Sequence, residues 1–322
     1  MPKRLRILED EEIEALYGIP RFTPEERLEY FSLVPREKVA LEQLHAIKSR
    51  LYFILQLGYF KSRHQFFVFS LGQVGDTEQP ASPPDVDAAY IRERYFPDFD
   101  FGDLEINKRT RLKHQRLILE LCRYRYCDAT LREQLQVRAR QAARVCGKPV
   151  YIFRELMQFL VEHRAVAPGY SFLQDVVGHA LTHEQDRLIG LVRSRLQASD
   201  IETLELLLDD TTGLYEITQL KRQPKDFSLG QIKREIERGR QIAPLYRLAH
   251  DLLPDLQISN ESITYYASLV GYYSVYKLKR LDQSVAYLYL LCFLFHRYQR
   301  LHDNLINSRV RFMWVERQDG CW

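Results

Sequence analysis

The sequence lacks an apolar run long enough to span a membrane. No stretch reaches the roughly 18 apolar residues of a spanning helix, and the longest candidate, residues 285–295, has the length of a buried helix. The N-terminus, MPKRLR, has no apolar segment of the kind found in signal peptides. The five cysteines form no CxxC pair and no spaced framework, which favours a reducing compartment. We therefore expect a cytoplasmic protein.

Motifs of common enzymes are also missing. Neither GxxxxGK[ST] nor GxGxxG occurs, which argues against the common nucleotide-binding loops, and GxSxG is absent. His179 and His183 have the spacing of helical zinc ligands, but the segment HALTHE differs from HExxH and lacks its general base. Asp209 and Asp210 follow an apolar helix end, where adjacent carboxylates are usually solvated. We expect no catalytic residue and no metal site in this chain.

Helix boundary signals, by contrast, run along most of the chain. Thr23-Pro24-Glu25-Glu26 is a capping box with proline at the first helical position. Asp85, Asp103 and Asp128 can begin further helices, and Gly58 can end one. The longer predicted helices cover residues 36–57, 103–126, 150–163, 171–198, 228–252, 259–271 and 283–308.

Strand-like alternation is weak and confined to residues 65–71 and 214–220. The sequence therefore predicts an all-α, multi-helical fold. Residues 72–84, GQVGDTEQPASPP, combine glycine and proline without periodic apolar residues and are predicted to form a linker or long loop.

Charge is nearly balanced over the whole chain, at a formal net charge of +3, but is unevenly distributed. Residues 107–146 contain eleven Lys or Arg against three Asp or Glu, whereas residues 200–216 contain six acidic residues and no basic one. An anionic partner responds to such a local patch rather than to the average. The basic segment indicates either a nucleic-acid surface or a solvated helix face.

The segment 103–126 forms a basic stripe when it is placed on a helical wheel at 100° per residue. Lys113, Arg116 and Arg123 lie within about 40° of Arg109, although Glu120 interrupts them. The other side carries apolar residues: Leu117, Ile118, Leu121 and Cys122. Such a helix can dock on its own domain and present cations to a phosphate backbone or major groove. An amphipathic surface helix with solvated cations is the alternative.

Two weaker basic clusters accompany this segment. One is Lys61-Ser62-Arg63-His64, after an apolar helix. The other surrounds the start of the predicted helix 228–252 and contains Lys221, Arg222, Lys225, Lys233, Arg234, Arg238 and Arg240. Glu235 and Glu237 dilute this last cluster, which favours a solvated face over phosphate contact.

Five segments resemble, in order, the N-terminal region of Tn3-family transposases over about 300 residues. They are LYGIP with YFSL between 16 and 33, RLYFILQL at 50–57, Tyr90-Ile91 followed by TRLKH at 110–114, EHRAVAPG at 162–169, and ASLVG with VYKL between 267 and 278. The sequence has Arg109 and Ser49 at two positions where that family has Asn. Neither change removes positive charge.

The resemblance implies that the chain is the DUF4158-like, DNA-binding part of such a transposase. In that family the N-terminal helical domains recognise the terminal inverted repeats of the transposon. A distant C-terminal RNase H-like domain holds the DDE triad and Mg²⁺ and carries out replicative transposition. The chain would then bind double-stranded DNA at transposon ends in the bacterial nucleoid, with no cofactor, no membrane and no cleavage of its own. Full-length transposase and a second copy of the chain are the other expected partners.

On this interpretation, residues 1–71 form one helical DNA-binding domain and 85–147 form a second, helix-turn-helix-like one. Residues 150–322 form a helical linker and scaffold region. The predicted DNA contacts are Lys108, Arg109, Arg111, Lys113, His114, Arg116, Arg123 and Arg125, with Lys48, Arg50 and Arg63 as a second set.

The last residues, 312–322, contain both tryptophans and do not resemble the family, so we expect a disrupted reading frame or a natural short form. Two other functions stay open. The chain could be a truncated regulator that competes with full-length transposase, or a helical protein-interaction scaffold.

Overall fold

The computed structural model describes residues 5–69, 82–99, 106–209, 216–222 and 228–319. Within these ranges the chain forms fifteen α-helices and no strand, so the predicted all-α class is confirmed. One isolated bridge joins Arg125 and Ala165. The helices are α1 (Asp10–Tyr17), α2 (Pro24–Tyr30), α3 (Pro35–Glu42), α4 (Ile47–Arg63), α5 (Pro83–Tyr95), α6 (Lys108–Cys122), α7 (Ala129–Val145), α8 (Pro149–Glu162), α9 (Tyr170–Arg195), α10 (Ala198–Leu206), α11 (Glu216–Lys221), α12 (Leu229–Leu252), α13 (Asn260–Tyr272), α14 (Val275–Lys279) and α15 (Gln283–Asp319).

The single predicted helix over 36–57 is wrong, because the chain forms two helices there, α3 and α4. Gly58 does not end α4. A Cβ at Gly58 would lie 2.3 Å from the ring of Phe31, so the glycine lets that ring pack directly against the helix. The helix ends instead at His64, which adopts the left-handed conformation and donates its amide to the carbonyl of Phe60 at 2.8 Å.

The basic helix α6 is shorter than predicted. It begins after Asn107, whose side-chain oxygen accepts the Thr110 amide at 2.8 Å, and it ends at Cys122. Arg123 lies beyond this end in the left-handed conformation, at φ 56°. The predicted start at Asp103 lies outside the described residues.

The two predicted strands are not observed in the described residues. Residues 65–69 form no strand, and residues 216–220 belong to α11. Most of the predicted linker, 72–81, lies outside the described ranges, and its last prolines begin α5.

The chain divides into two compact units, and the first comprises Met1–Gln136 with Phe153–Val176. Helix α4 is the centre of this unit, since every residue from 51 to 60 is buried. One side of α4 packs on α2 and α5 through a core that contains Phe31, Tyr59 and Ile91. The other side packs on α3 and α6 through Phe53, Phe60 and Ile118, among others.

The second unit comprises Val137–Ile152 with Val177–Trp322. Helix α15 packs against α12 and α13, and its first turns are almost wholly apolar and buried. Residues 285–294 are all buried, which confirms that this run forms a core helix.

The predicted three-domain division, at 71/85 and 147/150, stays a prediction. Residues from its first two parts nevertheless share one core within the first unit, since Tyr59 and Ile91 belong to the same buried cluster.

Candidate nucleic-acid interface

One side of α6 carries a basic surface. Lys108, Arg109, Lys113 and Arg116 are all exposed and together line an open depression of about 750 Å³. Thr110 and Leu112 complete its lining. These four cations, called the α6 surface below, lie within about 12 Å along the helix axis at 1.5 Å per residue.

The opposite side of α6 is anchored in the first unit. Ile118 is fully buried and Leu119 is 6% exposed, and both pack with Phe53 and Phe60 of α4. This apolar contact, favoured by the loss of water-exposed surface, determines which side of α6 faces solvent.

His114, one of the predicted DNA contacts, does not reach the surface of the first unit. Its side chain is fully buried, and its Nε2 lies 2.7 Å from the hydroxyl oxygen of Ser49 on α4. Its ring meets that of Phe53 edge to face, with the centroids 5.7 Å apart. Burial, with a smaller effect of Lys113, lowers the pKa of His114 to about 4, so the imidazole is neutral at pH 7. We interpret His114 as a positioning residue that connects α6 to α4.

The remaining first-set residues lie beside or beyond the α6 surface. Arg111 is half-buried on α6. Arg123 and Arg125 are exposed, but they follow the end of the helix and do not line its depression. The backbone of Arg125 pairs with the neighbouring chain segment instead, where its amide donates to the carbonyl of Arg164 at 2.9 Å.

Lys48 is the member of the second set that the structure brings to α6. It lines a second depression, of about 420 Å³, which adjoins the first because Thr110 and Lys113 line both. Residues from the first turns of α4 and α6 also line it, including Ser49 and Asn107. The positive ends of two helix dipoles therefore border this depression, which suits a phosphate group.

The other two members of the second set lie elsewhere. Arg50 is half-buried, and its Nε donates to the carbonyl of Leu44 at 2.5 Å, which braces the connection between α3 and α4. Arg63 lies half-buried in the last turn of α4 and lines neither depression.

The two weaker clusters are partly used inside the protein. The ammonium of Lys61 pairs with the buried carboxylate of Glu37 at 2.8 Å, and the ring of His64 stacks on Tyr124. Lys221 donates to the carbonyl of Tyr273 at 2.7 Å. Lys233 and Arg234 are exposed on α12, and Lys225 lies outside the described residues.

In the part of the chain that the structure describes, no group of three or more His, Cys, Asp or Glu is placed to hold a metal ion. His179, His183 and Asp209 are exposed, and Asp210 lies outside that part. Among the described helices, none combines the length and apolar character needed to cross a bilayer.

Sequence reasoning did not predict the contact of Ser49 with α6. Its role depends on a contact with His114, 65 positions away, which no local pattern signals. The sequence marks Thr110 only as part of a motif, yet its place on the solvent side of the first helical turn makes it part of both depressions.

Comparison with known proteins identifies the family of the chain. No curated protein matches the chain. A family described as a domain of unknown function, DUF4158, matches residues 7–180, which is more than half of the chain and includes both α4 and α6. The chain belongs to the DUF4158 family.

Proposed function

We propose that this chain binds double-stranded DNA at the terminal inverted repeats of a transposon, as the N-terminal part of a Tn3-family transposase. Domains of the DUF4158 family are found in Tn3-like transposases, and this supports the proposal at the level of the family. The five ordered sequence segments that resemble such transposases give it further support.

The observation that carries the proposal is the α6 surface. Four exposed cations, Lys108, Arg109, Lys113 and Arg116, line one depression, while the buried side of the same helix is packed in the core. A helix held in this way can approach the major groove, which is about 12 Å wide, with its cations facing the DNA. Arginine can pair with the O6 and N7 atoms of guanine, and lysine can neutralise phosphates.

In this proposal the chain positions DNA and does not cut it. Strand cleavage and transfer, with the Mg²⁺ they need, belong to an RNase H-like catalytic domain of the complete transposase. The chain's own residues supply phosphate contacts and base contacts and need no cofactor.

The test compares two variants that each lose four positive charges from exposed positions in the first unit. The first is K108Q/R109Q/K113Q/R116Q, on the α6 surface. The matched control removes the same charge elsewhere and is K38Q/R92Q/R94Q/R154Q. Fluorescence anisotropy with an inverted-repeat duplex, over about 50 to 200 mM salt, gives the affinity and its salt dependence.

We expect the α6 variant to lose most of its affinity. A plot of log K against log salt should become less steep, by about 0.9 in slope for each phosphate that is no longer neutralised. The control should keep a slope near that of the unmodified chain, and circular dichroism should show both variants folded. Equal affinities of the α6 variant and the control would contradict the role of α6. Equal binding of inverted-repeat and scrambled duplexes would contradict the proposed specificity alone.

A further inference from the structure

A segment of the second unit exposes aromatic rings beside cations. Residues 272–280, YYSVYKLKR, contain three tyrosines, three cations and no acidic residue, and are called the tyrosine segment below. The segment runs from the last residue of α13 through α14. It is separate in sequence and in unit from the α6 surface, so it does not depend on the function proposed for that surface.

Two apolar residues fix the tyrosine segment to the second unit. Leu278 is fully buried and Val275 is 8% exposed, and both belong to the core that α15 dominates. The hydroxyl of Ser274 accepts the amide of Lys277 at 3.2 Å and begins α14. With positions 275 and 278 turned inward, the intervening side chains face solvent.

The outward residues are large aromatic rings. Tyr272 is 85% exposed and Tyr276 is 70% exposed, the highest values among the exposed large apolar and aromatic side chains of the described residues, apart from Val68 at 71%. Tyrosine is usually at least partly buried, because its ring is costly to hydrate. Tyr272 ends α13 and Tyr276 lies on α14, so each exposed ring is carried by a helix that packs in the core and offers flat apolar area to a partner.

Cations accompany the rings of this segment. The ammonium of Lys277 lies 3.7 Å from the ring centroid of Tyr273, and the guanidinium of Arg280 lies 5.4 Å from that of Tyr276. Both contacts have cation–π geometry, which keeps positive charge next to the aromatic surface. A partner that fits must combine flat apolar groups with closely spaced negative charge.

We infer that the tyrosine segment binds single-stranded DNA, whose bases stack on Tyr272 and Tyr276 while its phosphates approach Lys277 and Arg280. Unpaired bases offer flat faces at a spacing set by a charged backbone, and tyrosine stacks on any base without reading sequence. In a duplex the base faces are covered by their neighbours, so the rings could not stack there. An acidic protein would match the cations but gives no reason for two exposed rings.

The experiment measures the anisotropy of a labelled oligothymidylate with the full chain and with surface variants. We expect Y272A/Y276A to weaken binding about 100-fold, since each of the two stacking contacts it removes contributes roughly ten-fold to the affinity. The variant Y272F/Y276F keeps both rings and should bind like the unmodified chain. K277Q/R280Q should lower the salt slope by about 0.7 for each phosphate that is no longer neutralised.

Controls separate this surface from the α6 surface and from general charge. K233Q/R234Q removes two exposed cations of the same unit and should leave oligothymidylate binding unchanged. Adding Y272A/Y276A to the α6 variant should weaken oligothymidylate binding by the same factor as in the unmodified chain, so that failure of duplex binding and failure of strand binding are distinguishable. Because Tyr272 and Tyr276 are exposed, the unfolding midpoint of Y272A/Y276A should match that of the unmodified chain.

Three results would overturn the inference. The first is unchanged oligothymidylate binding by Y272A/Y276A. The second is an equal decrease in K233Q/R234Q, which would indicate charge without stacking. The third is no binding of oligothymidylate while oligouridylate or a partner protein is captured through the same tyrosines.

Discussion

The Nε2 atom of His114 on α6 lies 2.7 Å from the hydroxyl oxygen of Ser49 on α4. The contact joins the helix that carries the exposed cations to the central helix of the first unit. Because His114 is fully buried, the bond forms where water cannot compete for either partner. It therefore helps to set the rotation of α6, and with it the direction in which Arg109 and Lys113 face.

We expect acid to destabilise the first unit through His114. Its pKa is lowered to about 4 in the folded chain, against about 6.5 when exposed, so the unfolded chain binds the proton first. The stability that the neutral imidazole contributes is present above pH about 6.5 and is lost as the pH falls towards 4. The loss at about pH 4.5 should be about 2–3 kcal/mol.

Urea unfolding at about pH 7.5 and pH 4.5 measures this loss. The variant His114→Gln keeps a neutral polar group without a titrating proton and should lose correspondingly less stability on acidification. Equal acid sensitivity of the two proteins would show that other groups are responsible.

Two glycines in helices should respond in opposite ways to alanine. Gly58→Ala places a methyl group 2.3 Å from the ring of Phe31, which is fully buried and held between Phe22 and Tyr59. Because this overpacks the core, we expect the free energy of unfolding to decrease by about 1–3 kcal/mol. Gly190 has open space around its would-be Cβ, and Gly190→Ala should raise stability by about 0.5–1 kcal/mol. Thermal unfolding of the two variants checks the signs, and a stabilising Gly58→Ala would contradict the packing described for α4.

The sequence predicted those parts of the fold that depend on local chemistry. The capping box at Thr23 forms as expected, with its amide donating to the Glu26 carboxylate at 2.8 Å. Asp128 likewise caps α7 by accepting the amide of Leu131 at 2.8 Å. Such contacts lie within three residues, so a single sequence contains all the information they need.

The errors come from contacts between distant parts of the chain. Nothing local distinguishes Gly58 as a packing position rather than a helix end, because the reason is the ring of Phe31. The break between α3 and α4 contains neither Gly nor Pro. The burial of His114 was predictable from the helical wheel, because His114 lies about 140° from Arg109, on the apolar side. The stripe itself was predictable, since Arg109, Lys113 and Arg116 depend only on helical period.

The buried carboxylate of Asp87 should be essential for the first unit. It is fully buried and accepts hydrogen bonds from Arg27 Nε at 2.7 Å and from the Tyr59 hydroxyl at 2.9 Å, which joins α5 to α2 and α4. Burial raises the pKa of Asp87, whereas its two partners act in the opposite direction. Arg27→Met would leave the buried carboxylate without its cation. We expect the free energy of unfolding to decrease by about 3–5 kcal/mol.

A double-mutant cycle tests this network. Asp87→Leu combined with Arg27→Met removes both charges and should be less destabilising than the sum of the single changes. Additive effects in urea unfolding would indicate that the pair contributes no coupling energy.

Arg297 should hold the second unit together in a comparable way. Its side chain is buried, with only 5% exposure. The guanidinium donates to the carbonyls of Leu220 at 2.9 Å and Arg222 at 2.8 Å, at the end of α11. It also pairs with the buried Glu235 at 3.3 Å, which Arg238 contacts as well. Arg297→Met should therefore cost about 2–4 kcal/mol, less than an isolated buried pair because Arg238 still faces the carboxylate.

The variant Arg297→Lys separates charge from geometry. An ammonium can still face Glu235, but it cannot present the planar fork of donors that reaches two carbonyls and a carboxylate together. We expect Arg297→Lys to recover only part of the stability, and amide exchange in residues 216–222 to accelerate in both variants. As a control, Arg247→Met changes an exposed residue of α12. Its free energy of unfolding should stay within about 0.5 kcal/mol of that of the unmodified chain. If exchange in residues 216–222 were unchanged in Arg297→Met, the guanidinium would not be what holds α11 in place.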